Sequence, residues 1–133
     1  MIMGAMTPAV MSVMLVMVMG CGGGGRGFFL PGGDVAAGKE AVQAMQCFVC
    51  HEIVGSDFPA PHAQPLVMVS LGAEKARQSR ERLAESIIAP SHRVPEGVAS
   101  LTSAGLSRMG DYSEVMTVRQ LIDIVAYLQS VGR

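Results

Sequence analysis

Charge is missing from the first twenty residues of this 133-residue chain, and no Lys or Arg precedes the apolar run that fills them. All 10 basic and 11 acidic residues lie further on and give a formal net charge of −1. So even a balance argues against nucleic acid or a strongly basic partner. Cysteine is scarce: with 3 in the whole chain, no disulfide framework is implied. No second Cys-x-x-Cys and no His-x-x-x-His follows the one cysteine pair, so a four-ligand structural zinc set is not supplied. Paired carboxylates, a Ser/His/Asp set and a phosphate-binding glycine loop are also absent, which leaves hydrolysis and group transfer without support. No segment alternates apolar and polar residues well enough to demand a strand, so an all-α class is expected.

What is present begins with a leader. Ile2 to Met19 is mostly apolar, interrupted by Gly4, Thr7, Pro8 and Ser12, and ends in Val18-Met19-Gly20-Cys21. A small residue before cysteine resembles a bacterial lipoprotein cleavage site. Residues 1–20 are therefore expected to be a signal peptide, with Cys21 the lipidated first residue of the mature chain. Each buried acyl CH₂ contributes about 0.8 kcal/mol to such an anchor. A simple cleaved signal and a retained anchor are the alternatives, the latter near the lower length limit for crossing a bilayer. All three put the domain outside the cytoplasm. Residues 21–33 include Gly22-Gly23-Gly24-Gly25 and read as a tether. Within it, Phe28-Phe29-Leu30 is expected to pack on the domain.

Cys47-Phe48-Val49-Cys50-His51 is a Cys-x-x-Cys-His, the attachment signature of a c-type haem. The two thiols add across the haem vinyl groups, and the resulting thioethers fix the porphyrin to the chain. His51 then reaches iron as the proximal imidazole. A thioredoxin-like pair would sit between a strand and a helix; here the pair closes a helix-like stretch.

Residues 34–133 form the folded domain. Asp34 is an N-cap candidate for a helix over 35–46. Ser79 to Ile88 predicts a second helix, closed by Pro90. Thr117-Val118-Arg119-Gln120 matches a capping box, with Met116 and Leu121 at the positions of a hydrophobic staple. Val118, Leu121, Ile122, Val125 and Leu128 continue at helical spacing to about Val131.

The region from Asp34 onward resembles a monohaem class I c-type cytochrome. Beyond the attachment motif, the resemblance rests on Gly38-Lys39, on Met109-Gly110-Asp111-Tyr112 with Met116-Thr117, and on Leu121-Ile122-Asp123-Ile124-Val125-Ala126-Tyr127-Leu128. It implies three main helices wrapped around one covalently attached haem c. It also implies that Ile124 and Tyr127 cross the first helix near Gly38, and that a proline carbonyl bonds His51, with Pro61 favoured over Pro59 and Pro65. Tyr112 resembles a tyrosine that helps hold the ligand loop or a propionate. Two positions depart from the family. Val42 replaces an aromatic, so the crossing should be less filled, and Gly110 replaces a proline, so the loop should be freer.

The sixth ligand is sought among four methionines beyond the leader. Met45 is too close to the attachment site, Met68 lies in the apolar run Leu66-Val67-Met68-Val69, and Met116 is the staple residue. Met109 sits in the polar loop Ser107-Arg108-Met109-Gly110-Asp111 with no periodicity to explain it, and the resemblance points to the same residue. His62 and His92 are the rivals. Arg80, Arg82, Arg93 and Arg108 are candidate partners for the haem propionates, with solvated surface as their default.

The expected function is one-electron transfer, not independent catalysis. The protein would act with redox proteins as a membrane-tethered carrier or as a cytochrome subunit of a respiratory complex. A haem enzyme or gas sensor with an open or labile sixth site is the alternative, and a structural haem subunit is a third reading.

Overall fold

The computed structural model describes residues 29–59, 69–94 and 103–131. The leader, Cys21, most of the tether, Pro61, His62, Pro65 and Met68 lie outside the described residues. No described helix is long and apolar enough to cross a membrane.

Among the described residues four helices carry the domain: α1 (Val35–Ala44), α2 (Ala73–Ala76), α3 (Arg80–Ile88) and α4 (Val118–Ser130). The Asp34 carboxylate caps α1 by accepting from the Ala37 N–H at 2.9 Å, and Ser79 caps α3 by accepting from Arg82. The capping box at α4 is complete in both directions: Thr117 Oγ1 accepts from the Gln120 N–H, and Gln120 Oε1 accepts from the Thr117 N–H. Met116, before the cap, packs against the cluster that contains Leu121, as a staple does. Thr117→Ala is expected to lower stability by about 1 kcal/mol and the melting temperature by about 5 °C. A thermal melt unchanged from wild type would contradict that role.

α1 ends two residues earlier than its sequence predicts. Met45 is its C-cap, and Gln46 adopts the left-handed conformation (φ 55°). A residue in that conformation after the cap is a common helix terminator, usually glycine. Here it turns the chain into a 3₁₀ turn, Cys47–Val49.

The all-α class holds, with one correction to the expectation of no strand. β1 (His51–Ile53) and β2 (Val69–Leu71) pair in parallel, His51 opposite Val69 and Ile53 opposite Leu71. Three residues are too few for a period-two pattern to stand out.

α1 packs chiefly on α4. One apolar cluster joins Leu30, Leu83, Ala84, Leu121, Ile122 and Val125. The other joins Ala41, Val42, Ile53, Ile124, Tyr127 and Leu128, and Ile87 and Met116 touch both. Burying Ile124, Val125 and Val42, the most enclosed side chains, contributes about 2 kcal/mol each. The close α1–α4 approach requires Gly38. A Cβ there would lie 2.8 Å from the Tyr127 Cβ and would run into the Asp123 carbonyl. Asp123, buried in α4, also accepts from the Asp34 N–H at 2.8 Å and so ties the start of α1 to the same helix.

Val42, at the crossing, is fully buried. Phe58 packs on the same cluster and stands edge-on to Tyr127, with ring centroids 6.2 Å apart. Of the tether's apolar triplet, Leu30 is buried in the first cluster, whereas Phe29 is 76% exposed.

Candidate functional site

The attachment turn follows directly from the way α1 stops. Val49 N–H donates to the Gln46 carbonyl and Cys50 N–H to the Cys47 carbonyl, closing a 3₁₀ turn. Residues three apart eclipse in such a turn, so Cys47 and Cys50 stand on one side of it. Both thiols are free; Cys47 is half-buried against the second cluster and Cys50 is exposed. Burial pushes the Cys47 thiol up, opposed by a backbone hydrogen bond and reinforced by the nearby Cys50.

His51 opens β1, and the strand register sets its ring. Its Nδ1 lies 3.3 Å from the Val69 carbonyl oxygen. With the proton on Nδ1 donated to that carbonyl, Nε2 keeps its lone pair for a metal, the arrangement ligating imidazoles normally adopt. Burial lowers the pKa of His51, with the Val69 contact opposing it. That favours the neutral imidazole, the form that binds metal. Among the described residues it is the Val69 carbonyl, not a proline's, that faces this nitrogen. Pro59 is exposed, and Pro61 and Pro65 fall outside the described residues.

Met109 is half-buried, in the loop before α4. Its N–H donates to Ser107 Oγ at 3.1 Å, and the Ser107 N–H donates to Ser91 Oγ at 3.1 Å. Met109 and Asp111 line a cavity of about 240 Å³ with Ile88, Ala89, Pro90, Ser91 and His92. Three residues on, the Tyr112 phenol is raised by burial and then by Cys47 and Cys50. Of the segment from Met109 to Tyr112, Tyr112 is thus the residue that feels the charge of the attachment pair.

Of the rival ligands and the arginines, His92, Arg80, Arg82 and Arg93 have partners of their own. His92 is exposed, and its Nδ1 meets Glu85 Oε1 at 2.5 Å. Arg82 pairs with Glu85 at 2.8 Å and Arg93 approaches the same carboxylate at 3.8 Å. Arg80 bonds Gln129 and the Leu30 carbonyl, and Arg108 is exposed. Glu85, which gathers three basic side chains, was not singled out by the sequence: its partners lie before and after it and share no motif.

These residues fit a haem and not a zinc ion. Among the described residues no three or more His, Cys, Asp and Glu side chains gather as a metal set. Two free thiols share one side of a turn, and an imidazole with one nitrogen committed follows them. The sequence pattern of the Cytochrome c family matches residues 35–132, so the chain belongs to that family. It is a class I c-type cytochrome whose domain binds covalently attached haem c. No curated protein and no solved structure gives a significant match.

Proposed function

We propose that this haem-based electron carrier holds its metal between His51 and Met109 and works from a lipid anchor at Cys21, outside the cytoplasm. The observation that carries the reading is the His51 ring, whose Nδ1 faces the Val69 carbonyl beside the Cys47/Cys50 turn and leaves Nε2 for iron; the half-buried Met109 in the loop before α4 supports the sixth ligand. The haem supplies a ferric–ferrous couple for one electron. Cys47 and Cys50 keep it on the chain, and His51 offers its Nε2. Met109 offers a weakly donating thioether, which raises the potential relative to two imidazoles, and keeps small molecules from the sixth position.

Redox proteins are the partners. Leu106 and Val115 on the loop and Val49 at the attachment turn are exposed apolar side chains, and a partner can dock on surface of that kind next to the site. The same arrangement serves a free carrier or a subunit of a respiratory complex.

The test is carbon monoxide added to the reduced holoprotein alongside a redox titration. A reversible one-electron titration with no carbon monoxide binding on the timescale of mixing is the expected result. Prompt binding would overturn the closed site and turn attention to gas sensing or peroxidase chemistry.

A further inference from the structure

The Met109 loop lacks the proline that would stiffen it, because Gly110 follows the ligand. A side chain at Gly110 would meet nothing within 4 Å, so packing does not hold that position either. Something else must keep the thioether in place, since a loop free to wander loses a weak donor bond to its own entropy.

Two serines offer that restraint. The Met109 N–H donates to Ser107 Oγ, and the Ser107 N–H donates to Ser91 Oγ. Ser91 lies just past α3, in a turn where the His92 N–H donates to the Ala89 carbonyl at 2.9 Å. The His92 ring contact with Glu85 ties that turn back onto the helix. The chain of contacts thus runs from a rigid helix, through two hydroxyls, to the backbone of Met109. It joins segments sixteen residues apart in sequence.

Resting on the reading of Met109 as the sixth ligand, we propose that Ser91 and Ser107 form a latch that positions Met109 and sets how often its thioether leaves the metal. They are positioning residues: each acts through the loop backbone. The latch does for this loop what proline does for its relatives, but reversibly, since each hydrogen bond is worth little more than thermal energy.

The test uses the full-length holoprotein. In the ferric state the absorption band arising from thioether-to-iron charge transfer is recorded for wild type and for Met109→Ala. In the ferrous state the rate of carbon monoxide binding is measured for wild type, Ser107→Ala, Ser107→Thr, Ser91→Ala and Ser86→Ala, with far-ultraviolet circular dichroism to confirm the fold. Losing one hydrogen bond to the loop is expected to raise that rate about fivefold in Ser107→Ala and Ser91→Ala. Ser107→Thr, which keeps the hydroxyl, should stay near wild type, as should Ser86→Ala on α3. Exchange of the Met109 amide proton should quicken in Ser107→Ala and not in Ser107→Thr. A charge-transfer band that survives in Met109→Ala, or is missing from wild type, would remove the ligand reading and the latch with it. A band that depends on Met109, with carbon monoxide rates unchanged in both alanine variants, would overturn the latch alone.

Discussion

Gly38→Ala is expected to destabilise the folded domain by about 3 kcal/mol or more. The added methyl would enter the backbone of α4 at Asp123 and press on Tyr127, and neither the carbonyl nor the Cβ can rotate away. Relief requires α1 to move off α4, which opens the cluster of Ala41, Val42, Ile124, Tyr127 and Leu128. It also strains the Asp34–Asp123 bond at the start of α1. Overpacking at a yielding site costs about 1–3 kcal/mol; a clash with backbone belongs at or above the top of that range. Domains of this size have about 5–15 kcal/mol in total, so the variant should yield little soluble holoprotein. A variant that matures and melts like wild type would show that the crossing is looser than its geometry says. Gly33 faces the same helix, its missing Cβ directed at Ile122 and Asp123, and should be nearly as intolerant.

The double variant Cys47→Ser/Cys50→Ser should lose both the cofactor and most of its stability. The described core is two clusters of six buried residues, little apolar burial for a domain of about a hundred residues. A covalently attached haem adds a large apolar surface to that core. A group that binds only the folded state stabilises it by mass action, and a covalent link makes the local concentration of that group permanent. Without the thioethers, acid extraction into organic solvent should strip the haem, whereas wild type should keep it on the polypeptide through denaturation. Helicity and melting temperature should fall together with haem content. A variant that holds its haem against acid extraction would contradict the assigned attachment residues.

Much of this architecture is legible because short-range chemistry writes it. The Asp34 cap, the Thr117/Gln120 box and the periodicity of α4 need only neighbours within four residues, and each stands where the sequence places it. The Cys47/Cys50/His51 set is equally local. Gly38 is different: its meaning comes from a helix about 85 positions away, and only a family resemblance brings the two together.

What stayed hidden depends on tertiary register. Nothing in Val69-Ser70-Leu71 announces that its first carbonyl will face His51; that follows from pairing two strands of three residues. The proline carbonyl that the family resemblance implies is a separate expectation, since Pro61 and Pro65 lie outside the described residues. The early stop of α1 was missed because Gln46 is an ordinary helix former that here takes a conformation better suited to glycine. Ser91 and Ser107 belong to no motif, since a hydroxyl gains its partner only from the backbone it meets.

The most direct test of the central claim is the visible spectrum of the ferric holoprotein beside that of Met109→Ala. The account predicts a low-spin spectrum carrying the thioether-to-iron charge-transfer band in wild type, with that band lost in the variant and carbon monoxide admitted once the variant is reduced. A high-spin wild-type spectrum, or a low-spin one whose charge-transfer band survives removal of Met109, would contradict it.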